Sequence, residues 1–492
     1  MVAPLKRLAR HSFVYTVGSI LNKALFIALV PIYTRLLTED DYGSLVLLNA
    51  GLAVLSVTYE LGTTSSVMRL YFDFDDLEER RRYVGSVWSF MTLTACVATL
   101  VLLAVGPWIL KPLFSGIPYW PCVAIMIVAG FFRIGNNIPQ TLYRVREQSS
   151  RFVTLVIGQT LLLVVGTFVF IALLHQGLLG ALLAILVQCA VFYALFTAFT
   201  LKHMRICWSS KWTRMTMAYG FPVMILHGGW WVLDASDRFI LSALTSLDIV
   251  AVYSVGYVVG KALQMITTSI NQAWTPFFFS IVKEEHPDTQ RMFTLTATYF
   301  TVILALLGLA IAVFAREAVL LFGGQNYLEA VPVVPVVILA SVCQGMFFVP
   351  SRGLFLQKKT GYFPLLIGIS AAVNVGLNFA LIPHFGMMGA AWATVAGYLS
   401  ALILTFVIAE RFYPIHYEVR RLVQALAFAL VLGAAAQFFQ YGTFAALSLR
   451  VALLASYPLL LWATQFFAPD EKRALVHMLG AVRRRLRLAK GE

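Results

Sequence analysis

Residues 216–254, TMAYGFPVMILHGGWWVLDASDRFILSALTSLDIVAVYS, decide how the chain is read. An apolar stretch carrying Trp230, Trp231, Asp234, Asp237 and Arg238 runs into Leu244-Thr245 and then Val252-Tyr253-Ser254. The same order stands near the N-terminus: an apolar run from Phe13, then Arg35-Leu36-Leu37-Thr38, an acidic turn from Glu39 to Asp41, and Tyr42-Gly43-Ser44-Leu45. Thr38 pairs with Thr245 at a shift of 207 residues, Gly177–Ala184 (GLLGALLA) with Gly386–Ala393 (GMMGAAWA) at 209, and Pro139 with Pro350 at 211. Three anchors at nearly one shift indicate an internal duplication, with a first half before this stretch and a second copy in most of the remaining chain.

Composition sets the environment. Over 492 residues the chain is 60% hydrophobic and only 12% charged, with a mean hydropathy of +0.81, too little polar surface to enclose a soluble core of that size. It reads as an integral membrane protein. Runs near the roughly 20 apolar residues needed to cross a membrane fall at 12–35, 43–67, 84–108, 119–142, 152–174, 178–201, 217–243, 249–280, 292–315, 327–350, 361–383, 386–409, 421–441 and 446–467. They are continuous rather than alternating, so backbone satisfaction in lipid requires helices. The expected fold is therefore all-α, with about fourteen transmembrane helices and both termini on one side.

The N-terminal arm, the connections after even-numbered spans and the tail hold 29 of the 37 lysines and arginines, counting Arg421 at the edge of its span. By the positive-inside rule these segments and both termini are expected on the cytoplasmic side. Lys6, Arg7 and Arg10 ahead of an apolar run resemble a secretory signal, but Asn22-Lys23 interrupts the run and no small-residue cleavage site comes after it, so an uncleaved first span is expected. In the tail, Leu475, Leu479, Val482 and Leu486 make one helical stripe among Arg483, Arg484, Arg485, Arg487 and Lys490, the pattern of an interfacial helix on anionic lipid.

Charge inside the spans is the strongest functional signal, since an ionisable group at membrane depth is costly and usually lines a pathway. Lys23 lies roughly 16 Å into the first span, with Asn22, Ser19, Thr16, Tyr15 and Ser12 near its face. Lys261 is at similar depth in the eighth, with Tyr253, Tyr257, Gln264, Thr268, Asn271 and Thr275 on or beside its face. Arg133 with Asn136, Asn137 and Gln140 forms a third cationic face. The acids are Glu60 in the second span and Asp234 and Asp237 in the seventh, where His227 shares a face with Trp231, Asp234 and Arg238. The alternative is structural: Lys23 or Lys261 pairs with Asp234 to hold the halves together, Asp237 and Arg238 are solvated at an interface, and His227 is a satisfied core histidine.

Catalytic and metal-binding patterns are missing. Asp73 and Asp75 have the DxD spacing but sit in a charged loop beside Glu78 to Arg82, and Gly256 to Lys261 lacks the full spacing and the Ser/Thr of a phosphate loop. The five cysteines, Cys96, Cys122, Cys189, Cys207 and Cys343, are scattered singly without a His partner. No catalytic residues, metal or cofactor are expected, no nucleic acid partner, and no extended outer loop offers an enzyme's site.

The run Val30-Pro31-Ile32-Tyr33-Thr34-Arg35-Leu36-Leu37-Thr38-Glu39-Asp40-Asp41-Tyr42-Gly43 resembles the N-terminal signature of Wzx-type polysaccharide flippases. Asp237-Arg238-Phe239-Ile240-Leu241 with Ala251-Val252-Tyr253-Ser254 resembles the signature opening their second half, and Leu381-Ile382-Pro383 through Gly389-Ala390-Ala391 their twelfth helix. The resemblance covers helices 1 to 12 and extends to the superfamily of lipid II flippases and multidrug extruders. It implies two pseudo-symmetric six-helix bundles, residues 1–210 and 211–415; the two additional helices over 416–468, which depart from the commoner twelve-helix pattern, and the basic cytoplasmic tail over 469–492 come from the hydropathy and charge reading. Helices 1, 2, 7 and 8 then line a central cavity.

The function this implies is flipping of a polyprenyl-diphosphate-linked oligosaccharide across the bacterial inner membrane by alternating access, during O-antigen, capsule or exopolysaccharide biosynthesis. Lys23, Lys261 and Arg133, with Asn22, Gln264, Asn271 and Tyr257, are the expected substrate contacts. Glu60, Asp234, Asp237, Arg238 and His227 are the expected coupling or gating groups. The partners are the lipid-linked oligosaccharide, membrane lipids and the polymerase and assembly machinery. The alternatives are a multidrug extruder of the same fold, disfavoured by the basic excess, and a polysaccharide polymerase or ligase, disfavoured by the missing outer loop.

Overall fold

The computed structural model describes residues 18, 21, 22, 24–283, 289–439 and 444–472. Lys23 and the basic tail stripe lie outside the described residues. Among the described residues all regular structure is helical. Eleven helices among the described residues are long and apolar enough to cross a membrane. Against the fourteen expected, three places differ. The first span is present as a shorter apolar helix, α1 (Ala24–Leu36). The seventh, α9 (Ser210–Leu244), carries His227, Asp234, Asp237 and Arg238 and so falls outside the eleven. The eleventh and twelfth are one element, α14 (Phe363–Phe412), broken at Gly386.

The other elements are α2 (Glu39–Glu60), α3 (Thr63–Leu70), α4 (Leu77–Ile109), α5 (Ala124–Ile134), α6 (Asn137–Val145), α7 (Ser149–Thr167) and α8 (Gly177–Leu201). They are followed by α10 (Leu247–Lys283), α11 (Thr289–Val313), α12 (Ala315–Phe322), α13 (Val333–Leu356), α15 (Val419–Gln437) and α16 (Phe444–Ala463). Local chemistry sets their ends. The Thr38 hydroxyl accepts from the Asp41 amide at 3.1 Å to cap α2, and Glu39, Asp40 and Asp41 complement the positive end of its dipole. Asp76 does the same for α4 through the Glu79 amide at 3.2 Å.

The duplication read from the sequence has a structural counterpart. Gly177 and Gly386, one shift apart, both stand in the left-handed region, with φ of +53° and +54°. Three residues on, a side chain on Gly180 would meet the Phe170 carbonyl at 2.8 Å, and one on Gly389 the Leu381 carbonyl at 2.5 Å. Residues eight apart in a straight helix are separated by about 12 Å, so the chain reverses at Gly386. Glycine is favoured for two separate reasons, the left-handed φ at Gly177 and Gly386 and the close approach at Gly180 and Gly389.

Two compact units divide the chain: Met1–Met265 with Glu317–Tyr413, and Ile266–Arg316 with Pro414–Glu492. The boundary expected at residue 210 lies inside the larger unit, where α2-α3 and α9 run antiparallel. Leu247, just after α9, meets Gly43, the Trp231 indole donates to the Ala50 carbonyl at 3.2 Å, Gly62 meets Gly220, and Ser66 Oγ donates to the Thr216 carbonyl at 2.8 Å. At the Thr38 end the halves also meet where Thr34 Oγ1 donates to the Phe322 carbonyl at 2.6 Å and Tyr42 packs edge-on against Tyr327. In the smaller unit α11, α15 and α16 share a core of Leu309, Val313, Ala425, Ala436, Tyr457 and Leu461. There Arg421 bridges Glu418 at 2.7 Å and Glu471 at 2.8 Å.

Candidate functional site

The larger unit holds two polar centres, one in each half. The first is built on α9, α10 and the two segments of α14. Asp237, 1% exposed, has both carboxylate oxygens engaged. Oδ1 accepts from the Arg238 amide at 2.8 Å and from its guanidinium at 3.0 Å. Oδ2 accepts from the Tyr253 hydroxyl and, at 3.4 Å, from Thr394 Oγ1. Arg238 also donates to the Asp234 carbonyl one turn back at 2.7 Å and lies 4.2 Å above the Tyr257 ring. A carboxylate in such surroundings is tolerable only when paired and fully hydrogen-bonded.

Asp234 and Lys261 form an ion pair between α9 and α10. The same carboxylate oxygen accepts from the Tyr257 hydroxyl at 3.0 Å and the Tyr398 hydroxyl at 3.4 Å. The two pairs differ in access: the Asp234 and Lys261 side chains are 36% and 28% exposed, the Asp237 side chain 1%. With two acids and two bases, this centre is neutral in this conformation. Asn374 and Asn378 lie beside it, both fully buried; Asn374 Oδ1 accepts from the Asn378 amide at 3.1 Å and from Ser236 Oγ at 3.4 Å.

The second centre is a cavity of about 320 Å³ inside the first half, lined by Arg133, Asn136, Asn137 and Gln140 together with Asn22, Asn49, Gln159, Thr160 and Gln188. Pro139 cannot donate to the Gly135 carbonyl, which fits the break between α5 and α6 where Asn136 stands. Glu60 accepts from the Asn137 side-chain amide at 3.1 Å, and Asn22 Oδ1 accepts from Thr160 Oγ1.

The sequence-derived residues thus divide. Asp234, Asp237, Arg238, Tyr257 and Lys261 come together, and Asn22, Arg133 and, through Asn137, Glu60 gather in the other half. The Asp234–Lys261 pair lies within the second half rather than across the halves. His227 is exposed on α9 and makes no hydrogen bond or ion pair with the Asp234 group among the described residues. Gln264 lines neither centre, and Asn271, whose carbonyl accepts from Thr275 Oγ1 at 2.6 Å, belongs to the smaller unit. Trp230 packs on Phe347 and Tyr398. Sequence reading missed Tyr398, Thr394, Asn374 and Asn378. The signal for the last two was present: two asparagines one turn apart in an otherwise apolar span.

The fold and these centres define a multi-pass membrane protein built on an internal repeat. The chain belongs to the polysaccharide biosynthesis protein family, whose sequence profile matches residues 8–282. It is similar to an uncharacterized membrane protein of Methanocaldococcus jannaschii, 24% identical over 200 residues, which cover 39% of this chain and 39% of that one. A protein of the Lsg locus of Haemophilus influenzae is 21% identical over 293 residues, covering 58% of this chain and 69% of that one. Thus the chain spans well under half the length of the archaeal relative. Its fold matches the lipid II flippase MurJ in an inward closed conformation, with a TM-score of 0.75 at 11% identity over 94% of this chain and all of that one. It also matches an inward-facing multidrug resistance transporter of the MATE family and MOP superfamily, with a TM-score of 0.64 at 16% identity over 81% of this chain and 97% of that one. The resemblance read from residues 30–43 and 237–254 therefore holds at the level of family and fold.

Proposed function

We propose that the protein flips a polyprenyl-diphosphate-linked oligosaccharide across the bacterial inner membrane by alternating access, with both termini cytoplasmic. The observation that carries this reading is the partly exposed Asp234–Lys261 pair beside the sealed Asp237–Arg238 pair. A diphosphate moving through a low-dielectric path needs fixed counter-charge. Lys261 supplies it by exchanging Asp234 for the substrate, while Arg238, locked on Asp237 and stacked on Tyr257, keeps α9 and α10 aligned. The released Asp234 then becomes the group whose charge distinguishes the loaded from the empty state. Lys23 is the matching cation of the first half in this proposal, and Glu60 a second gating acid.

Family membership and the shared flippase fold support transport rather than catalysis. A multidrug extruder of cationic compounds would need net negative charge in its path, and neither centre carries it. The test is deletion of the gene in its host and location of the lipid-linked repeat units. They are expected to accumulate on the cytoplasmic leaflet, and complementation with Lys261→Ala should fail while Lys261→Arg restores part of the export. Repeat units reaching the outer leaflet normally in the deletion strain would refute the assignment.

A further inference from the structure

The cavity in the first half is chemically unlike the Asp234–Lys261 centre. Among the described residues that line it, Arg133 is the one cation and none is a carboxylate, and amides dominate: Asn49, Asn136, Gln140, Gln159 and Gln188. The Arg133 guanidinium makes no hydrogen bond or ion pair among the described residues. The nearest described acid bonded to the lining, Glu60, is held by Asn137. Asn136 is 1% exposed, and neither its amide nitrogen nor its oxygen has a partner; the Gln188 amide nitrogen, in a side chain 7% exposed, is likewise unpartnered. A buried primary amide left unpaired is costly. Two of them in residues that line the same cavity, one in the α5–α6 break and one on α8, mark where a polar ligand's groups go.

A guanidinium fork takes a carboxylate in a bidentate pair, and side-chain amides both donate to and accept from neighbouring hydroxyls. One planar anion acceptor surrounded by amides suits a single sugar ring bearing a carboxylate. With one cation among the described lining residues it suits a diphosphate less well, since that needs several. The volume of about 320 Å³ lies at the small end of ligand sites, roughly 300–1,000 Å³. Phe26 and Tyr33 in the lining supply apolar faces for the ring.

We infer that this cavity is a subsite for an acidic sugar residue, a uronate or its like, with Arg133 on the carboxylate and Asn136 and Gln188 on hydroxyls. This deepens the flippase reading, on which it rests for the reason a sugar arrives there. It assigns the Arg133 cavity to sugar recognition and leaves diphosphate to Lys261 and Lys23.

The test is a titration of the purified full-length protein with methyl galacturonoside, methyl galactoside and inorganic phosphate, monitored by calorimetry or saturation-transfer NMR. Galacturonoside is expected to bind, the neutral galactoside at least about tenfold more weakly, since a charge-assisted pair is lost. Arg133→Gln should remove that preference and Arg133→Lys keep part of it, with Asn136→Leu weakening both sugars. Equal binding of the two sugars, insensitive to Arg133→Gln, would overturn the acidic-sugar assignment. So would phosphate binding as well as galacturonoside, which would mark a general anion site, or no binding of either sugar, which would mark a hydrated cavity only. Failure of the flippase reading is separate: it would show as absent translocation of lipid-linked oligosaccharide with galacturonoside binding intact.

Discussion

Asp234 on α9 and Lys261 on α10 form an ion pair, and Tyr257 and Tyr398 hydrogen-bond the same carboxylate oxygen. Removing either charge alone strands the other beside apolar helices. Because both side chains keep about a third of their surface accessible, the loss should fall below the roughly 3–5 kcal/mol of a fully buried pair. Asp234→Asn and Lys261→Ala should each lower the thermal unfolding temperature in detergent, and the double variant should recover much of the loss. Recovery of stability without recovery of export would separate the proposed transport role of Lys261 from its structural one. An additive double variant would show that the two groups are not coupled.

The neighbouring Asp237–Arg238 pair is sealed, so it should behave differently. Arg238→Met leaves a buried carboxylate with only Tyr253, Thr394 and a backbone amide, and should cost about 3–5 kcal/mol, read as a large fall in unfolding temperature and in membrane abundance. Tyr253→Phe removes one hydrogen bond to a charged group, about 1.5–3 kcal/mol. If Arg238→Met is as stable as wild type, Asp237 is not held by that pair.

Range along the chain decides which features were legible from sequence. The duplication was legible because Gly177 and Gly386 answer to backbone geometry, which is local. The helices were legible because lipid forces one solution on any apolar run. Asp234, Asp237, Arg238, Tyr253, Tyr257 and Lys261 lie within 28 residues on two consecutive helices, so helical spacing grouped them as one set on each helix, and the Asp234–Lys261 pair entered only as the structural alternative. Thr394 and Tyr398 reach the same acids from more than 150 residues away. No periodicity carries that. His227 shows the converse: helical spacing put it with Asp234, and the packing of α9 leaves it exposed.

The seam between the halves rests on small residues. An ideal Cβ on Gly220 would lie 2.8 Å from the Leu61 carbonyl and 2.9 Å from Ser66 Oγ. Gly220→Val should hold the Gly62 end of the seam apart. A cysteine replacing Ser66, a position fully buried here, should then react with a water-soluble maleimide much faster than in the Gly220 background. Unchanged labelling would mean that this contact does not control access.

In the smaller unit, burial opposes ionisation of Glu471, but hydrogen bonds from Arg421 and the Ala468 amide outweigh it and hold the carboxyl below the usual range. A depressed folded value stabilises above the unfolded value of about 4.3, and that stability is lost as pH falls through the folded value. Hydrogen exchange over residues 419–437 and 464–472 should accelerate below about pH 4 in the wild type. In Glu471→Gln it should already be fast at neutral pH and change little on acidification. Equal protection in both proteins at neutral pH would remove Glu471 from the clasp.

Exchange of Asp234 for a diphosphate on Lys261 as the substrate crosses is the step on which the proposed function turns. It is measured as translocation of polyprenyl-diphosphate-linked oligosaccharide in proteoliposomes, under a membrane potential alone and under a pH gradient alone, for wild type, Lys261→Ala and Asp234→Asn. Transport is expected in the wild type, none in Lys261→Ala, and an altered response to potential or pH in Asp234→Asn. Wild-type rates in Lys261→Ala, with Asp234→Asn responding to both gradients as wild type does, would contradict the exchange.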